Sequence, residues 1–252
     1  MSEARLSELL QQMPGAVVAL SGGVDSSLLL AVAVETLGVE RVLAVVADTP
    51  SLARSEFDCA QLMASEIGVE LRVLSTAEFS DQRYLDNSGD RCYWCKEALF
   101  ESAIPLAVER GWVMCYGENA SDDPTDRPGS KSAARHGVRA PLREAGMDKQ
   151  QVRVAARARG LSVADKPAMP CLSSRIPIGI PVTMEALERV EKMENSIRKL
   201  GFQVLRARDF GTELVRVEIG ASEFTDAEGA RERFTALAIE AGYTSCELAP
   251  YN

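Results

Sequence analysis

One histidine, His136, is all this 252-residue chain contains. A Ser-His-Asp triad or a histidine-rich metal site therefore has little to draw on. Long apolar runs are missing too: none approaches the roughly 18 residues of a membrane-crossing helix. Positive charge is scarce, with 28 Lys and Arg against 37 Asp and Glu, a net charge of −9. Without a basic face or a basic, aromatic-rich module, binding of a nucleic-acid polymer is not expected. The opening stretch MSEARLSELLQQMPG reads as an amphipathic helix carrying acids, without the basic-then-apolar order of a signal peptide. The expectation is a cytoplasmic protein with neither membrane nor nucleic acid as partner.

With 46% hydrophobic and 26% charged residues, the composition is that of a globular protein. The length suits one large domain or two smaller ones. Arginines gather locally, at Arg127, Arg135, Arg139 and Arg143 and again at Arg206 and Arg208, which suits a small anionic ligand better than a polymer. In a cytoplasmic chain, six cysteines point to metal or redox chemistry more than to a disulfide framework.

Short apolar runs alternate with helical patterns in the first part. AVVAL (16–20), RVLAVVA (41–47), a run at 70–74 and another at 112–116 read as strands. Helices are expected at 26–37, 56–67 and 96–110. Strands without polar alternation, separated by helices, predict an α/β fold whose parallel sheet is covered on both faces. Residues 118–137 read as a long loop. Asp148 to Gln151 forms a capping-box start, and the four prolines of DKPAMPCLSSRIPIGIP predict an extended stretch. After Pro181 come a helix capped by Thr183, two paired strands, a helix over 226–241 and a last strand. The reading is a domain of residues 1–180 and a smaller α+β domain of 181–252.

Ser21-Gly22-Gly23-Val24-Asp25-Ser26 joins the first strand to the first buried helix. Adjacent glycines let a ligand approach the main chain, and a helix beginning beyond them aims unpaired N–H groups at an anion. Ser21, Ser26 and Ser27 add hydroxyls, and Asp25 could orient a nucleophile or hold magnesium. The alternative is a glycine turn with Asp25 or Ser26 merely capping the helix. Neither GxxxxGK[ST] nor GxGxxG is present. In its strand–loop–helix setting, SGGVDSS resembles the SGGxDS loop of the PP-loop ATP pyrophosphatases, whose fold is a Rossmann-like parallel sheet. That resemblance implies a pyrophosphate site at Ser21, Gly22, Gly23, Asp25 and Ser26, with Ala47 at the end of the second strand near the adenosine.

Cys92-Tyr-Trp-Cys95 precedes the predicted helix at 96–110, and Cys171 lies in the proline-rich stretch. A lone CxxC suits zinc, a dithiol pair or iron–sulfur ligation. Cys59, Cys115 and Cys246 read as small apolar fillers. SGGVDSSL, RCYWCKEALF, GENASDDPTDRPG, APLREAGMDKQQVR, DKPAMPCLSSRIPIG, GFQVLRARDFG and LVRVEIG together resemble the LarE family over nearly the whole chain. That family makes the nickel-pincer nucleotide cofactor of lactate racemase. It adenylates carboxylates of pyridinium-3,5-biscarboxylic acid mononucleotide with ATP and Mg2+ and converts them to thiocarboxylates.

Some members of the family sacrifice a cysteine sulfur. Others bind a [4Fe–4S] cluster, and the resemblance implies that ligand set for Cys92, Cys95 and Cys171. It further implies substrate contacts at Ser174 and Arg175, a phosphate grip at Arg206 and Arg208, and acidic positions near the substrate at Glu218 and Asp226. For the arginine pair a solvated sheet face remains the alternative, and for Glu218 an ion pair with Arg216 on the same strand face. The resemblance also implies a homo-oligomer, a hexamer in some relatives, and an unidentified sulfur donor that reloads the cluster. A PP-loop tRNA thiolase and a non-catalytic nucleotide or iron–sulfur sensor are the competing functions.

Overall fold

A computed structural model describes residues 2–122 and 128–251. Arg127, one of the arginines noted above, lies outside the described residues. The chain divides into two compact units, one of Met1–Asp81 and Asp90–Met169, the other of Gln82–Gly89 and Pro170–Asn252.

The first unit runs α1 (Ser2–Gln11), β1 (Ala16–Ala19), α2 (Val24–Leu37), β2 (Val42–Ala47), α3 (Arg54–Ile67) and β3 (Leu71–Leu74). After the short α4 (Gln82–Leu85), which belongs to the other unit, it continues with α5 (Arg91–Arg110), β4 (Val113–Tyr116), α6 (Pro128–Arg135), α7 (Pro141–Glu144) and α8 (Lys149–Ala158). The four strands form a parallel sheet in the order β3-β2-β1-β4. It is the parallel α/β sheet that the sequence predicts.

Successive strand residues serve opposite faces of this sheet. Ala16, Val18, Ala44 and Val46 enter one core with α1, α2 and α8. Val17, Ala19, Leu43 and Val45 enter a second core with Phe100, Ala103 and Ala107 of α5. Burial on both sides is why these strands read as unbroken apolar runs. Helix α2 is apolar nearly all round, with Leu28, Leu29 and Leu30 fully buried. Its rigid seating fixes the loop that precedes it.

The second unit carries α9 (Met184–Lys199), β5 (Leu205–Asp209), β6 (Leu214–Ile219), α10 (Phe224–Gly229), α11 (Arg231–Ala241) and β7 (Ser245–Pro250). Its sheet is β5-β6-β7, antiparallel and then parallel. Thr183 caps α9 by accepting from the Ala186 N–H at 3.1 Å, as the sequence predicts.

Three expectations change. The units divide at 169/170 rather than at 180, and segment 82–89 joins the second. Asn87 explains this: its Nδ2 donates to the carbonyls of Pro177 and Ile180 at 2.8 and 2.9 Å, and Tyr84 meets the Ser173 hydroxyl at 2.6 Å. Part of the stretch read as loop at 118–137 is helical, as α6. The single helix read over 226–241 is two, α10 and α11, broken at Ala230.

Among the described residues no helix is long and apolar enough to cross a membrane.

Candidate functional site

In the first unit the chemistry gathers at the C-terminal ends of the parallel strands, where open α/β sheets bind ligands. After β1, Gly22 turns with φ +75°. A Cβ there would stand 2.6 Å from the Glu56 carbonyl oxygen of α3, so only glycine fits. Gly23 is the N-cap of α2 and supplies no side-chain cap. The N–H groups of Gly23, Val24 and Asp25 find no acceptor among the described residues. They form an open helix N-terminus suited to an anion.

The serines divide their tasks. Ser26 is 3% exposed, and its hydroxyl accepts from the Ser21 N–H, meets the Ser21 hydroxyl and donates to the Gly23 carbonyl, each at 3.1 Å. It braces the loop and is not turned outward as a ligand donor. Ser27 is fully buried, so its expected role as a donor fails on burial.

Asp25 does not cap its helix. Its carboxylate accepts from Asn119 Nδ2 at 3.1 Å and from the ammonium of Lys149. Lys149 opens α8, whose capping box at Asp148 and Gln151 is present as read. Gly117 after β4 lies close enough that a Cβ would meet the Ser26 nitrogen at 2.6 Å. The loops after β1 and β4 and the start of α8 thus converge on Asp25. Ala47 ends β2 beside Leu74 of β3, and Asp48 next to it is paired with Arg54 at 2.6 Å.

The CxxC pair sits within the first five residues of α5, not ahead of the helix as the sequence suggested. Cys92 is exposed and Cys95 half-buried; a spacing of three places both on one helix face. The positive end of the helix dipole favours negative charge at this turn. Tyr93 and Trp94 pack edge-to-face at 4.8 Å, and Trp94 donates to Asp90 at 2.8 Å. Helix α6 crosses the turn so closely that a Cβ on Gly129 would come within 2.9 Å of Lys96.

Buried Glu97 fastens α6 there, accepting from Ser132 at 2.7 Å, with Arg135 at 2.9 Å and His136 Nε2 at 3.0 Å. Burial works to raise its carboxyl pKa, but the Ser132 and His136 contacts and the Arg135 charge leave it below the ordinary value. The only histidine is therefore spent on this helix contact.

In the second unit, Cys171 precedes a 3-10 turn, Leu172–Arg175. Arg175 is 1% exposed. Its Nε and Nη2 donate to Glu194 at 2.8 and 3.0 Å, and its Nη1 to the carbonyls of Pro170 and Cys171 and to the Ser174 hydroxyl. This corrects the expectation of a substrate contact: the guanidinium faces inward and fixes the backbone around Cys171. Glu194 escaped the sequence reading; it also accepts from Arg198 and from the Ala207 N–H.

Arg206 and Arg208 share one face of β5. Arg208 donates to Glu218 at 3.0 Å and to the Ser174 carbonyl at 2.9 Å. Glu218 therefore pairs with Arg208 and not with Arg216, which goes to Glu247 at 3.0 Å. Arg206 stacks 4.8 Å above the Tyr251 ring and has no carboxylate partner among the described residues. Asp226 is exposed on α10 and is not drawn into these contacts.

Asn119, Lys149 and Lys166 were also missed as individuals. All three lie within stretches that resemble the family, GENASDDPTDRPG, APLREAGMDKQQVR and DKPAMPCLSSRIPIG, but a lysine at a helix start or in a loop looks like any surface lysine.

The family model for NAD synthase matches residues 4–88. An uncharacterised protein of Synechocystis sp. is 39% identical over 223 residues, covering 87% of this chain and 82% of that protein. The pyridinium-3,5-bisthiocarboxylic acid mononucleotide synthase of Lactiplantibacillus plantarum is 32% identical over 225 residues, 89% of this chain and 81% of the synthase. The chain belongs to the LarE family of PP-loop proteins. Similarity to an NH(3)-dependent NAD(+) synthetase of Methanococcoides burtonii, 39% over 61 residues, covers 24% of this chain and 23% of the synthetase. The stretch matched by the NAD synthase model contains the Ser21–Ser26 loop.

Among the described residues no three His, Cys, Asp or Glu side chains are grouped to hold a metal ion. The donor chemistry of Cys92 and Cys95 nevertheless suits iron: two thiols three residues apart on one helix face, one of them exposed. Two cysteines differ. Burial pushes the Cys115 thiol up to about 12 and Cys246 up to about 11. Iodoacetamide at pH 8 is therefore expected to label Cys92 and to spare Cys115 in the native protein. Peptide mass spectrometry checks this, and equal labelling of the two would contradict it.

Proposed function

We propose that this chain is an ATP-dependent sulfur transferase acting on pyridinium-3,5-biscarboxylic acid mononucleotide. A substrate carboxylate oxygen attacks the α-phosphorus of ATP, and pyrophosphate leaves. Sulfur then forms a bond to the acyl carbon, and the C–O bond to AMP breaks, giving the thiocarboxylate. The reading is carried by similarity along most of the chain to a synthase named for the bisthiocarboxylic product, joined to the open N-terminus of α2.

In this reading the N–H groups of Gly23, Val24 and Asp25, with Ser21, receive the pyrophosphate end of ATP. Ser26 and Gly22 hold the loop in shape, and Ala47 lies on the adenosine side. Magnesium neutralises the charge of the leaving pyrophosphate, and Asp25 is the carboxylate this loop offers it. Cys92, Cys95 and Cys171 would hold a [4Fe–4S] cluster, which when bound supplies a soft, unprotonated sulfur nucleophile. Arg206 and Arg208 bind the substrate phosphate, a task suited to guanidinium forks. Glu218 orients Arg208, and Asp226 stands as a further acidic group of the substrate side. Ser174 contacts substrate, while Arg175 keeps Cys171 in place.

Pyrophosphate release from MgATP is expected to rise when the biscarboxylate nucleotide is added. Stimulation by tRNA but not by that nucleotide would sink the proposal. After anaerobic reconstitution the protein is expected to bind about four irons, and each of Cys92→Ala, Cys95→Ala and Cys171→Ala to lose them. An intact mass lower by about 34 Da after turnover would instead mark a sacrificed cysteine.

A further inference from the structure

We propose that Lys166 is a positioning residue for the anion loop, setting the orientation of the Gly22–Gly23 peptide. This rests on the reading of that loop as the pyrophosphate end of an ATP site. The Gly22 carbonyl accepts from Lys166 Nζ at 3.1 Å and from Cys59 Sγ at 3.4 Å. The peptide is trans, so its C=O and N–H point to opposite sides. Holding the oxygen against Lys166 and α3 turns the Gly23 N–H away from them, and that N–H is without an acceptor among the described residues. The flipped peptide would present a carbonyl oxygen to a phosphate and replace attraction with repulsion.

Lys166 does not act here as a spare cation for the ligand. Glu56, 6% exposed on α3, pairs with its ammonium at 2.8 Å. Within that pair the two opposite charges offset each other, and the lysine is tied to the helix against which Gly22 packs. A Cβ at Gly22 would meet Glu56 O at 2.6 Å and Ala60 N at 3.1 Å. The loop is thus gripped on one side by α3 and by the lysine paired with Glu56 of α3, and its donors are left for the other side. Lys166 lies in the proline-rich DKPAMP run, where sequence pattern gave no hint of this contact.

The test is equilibrium binding of magnesium pyrophosphate and of adenosine, measured separately on the full chain. Removing Lys166 alone would strand the Glu56 carboxylate, so the principal variant is Lys166→Met with Glu56→Gln. It is expected to weaken pyrophosphate by about tenfold or more, as for loss of a hydrogen bond from a charged donor, with adenosine changed less than about twofold. Lys166→Arg, which can still donate to the Gly22 oxygen, should retain most of the affinity. Should the double variant fail to fold, Lys166→Gln with Glu56→Gln keeps a neutral polar pair there while removing the charged donor, and is expected to cost about threefold for pyrophosphate alone. Unchanged pyrophosphate binding, or equal weakening of both probes, overturns the role of Lys166. A wild-type protein that binds neither pyrophosphate nor ATP would instead overturn the reading of the loop itself.

Discussion

Arg175→Met is expected to lower the stability of the protein by about 3 kcal/mol, a fall in Tm of about 6–12 °C. The arginine is buried and makes five hydrogen bonds: two to Glu194, two to the carbonyls of Pro170 and Cys171, and one to the Ser174 hydroxyl. Removing it leaves a 1%-exposed carboxylate at Glu194 short of its main partner. Loss of one member of a buried pair costs about 3–5 kcal/mol. Arg198, still 3.0 Å from Glu194, holds the expected value at the lower end.

Arg175→Met with Glu194→Gln should recover part of the loss, because the stranded charge goes with the second change. A thermal melt decides the matter. A drop below about 2 °C would mean the pair holds nothing up, and the argument that Arg175 fixes the Cys171 turn would go with it.

Gly22→Ala is expected to weaken ATP and pyrophosphate binding by about 100-fold, the scale of effect that follows from misplacing a binding group by about 1 Å. Two causes combine. A residue with a Cβ pays about 1–2 kcal/mol to adopt the left-handed conformation at φ +75°. The added carbon also falls 2.6 Å from a backbone oxygen of α3, which cannot rotate aside as a side chain could. The loop must move, and its N–H donors move with it. Gly38→Ala is the control: φ is +86°, yet nothing lies within 4 Å of the added carbon. It should cost stability without affecting nucleotide binding. Isothermal titration of both variants separates collision from backbone strain, and equal affinities would show that the close approach to α3 is not what shapes the site.

Much of the fold was legible because its signals are local. AVVA and VLAVVA are apolar at every position because both faces of the sheet are covered. Gly38, Gly68, Gly111 and Gly242 each follow the last residue of a helix with positive φ, where the sequence placed the stops or the pattern allowed them. The start of α5 was misread because Arg91-Cys-Tyr-Trp-Cys carries no capping signal strong enough to outweigh the look of a loop motif. The split between α10 and α11 was missed because FTDAEGARERF keeps a helical pattern through the break.

The candidate site was legible only in its outline. SGGVDSS, CYWC, CLSSR and RAR could be picked out as unusual, and with the other quoted stretches they pointed to the family. What each residue does depended on partners far away in the chain: Lys149 for Asp25, Glu194 for Arg175, Glu218 for Arg208 rather than Arg216. Ser26 and Ser27 look alike in sequence, yet one braces the loop and the other is sealed in the core. Their difference is a matter of which way α2 faces once Leu28, Leu29 and Leu30 are buried.

By itself, then, the sequence determined the parallel sheet, the glycine loop at the head of α2 and the family, because apolar periodicity and short motifs are properties of neighbouring residues. Only the tertiary structure decided that Arg175 points inward, that Lys166 holds the Gly22 carbonyl, and that segment 82–89 belongs with residues 170 onward. Those are outcomes of packing and of charge pairing across many residues, where the cost of an unpartnered buried group selects the neighbour.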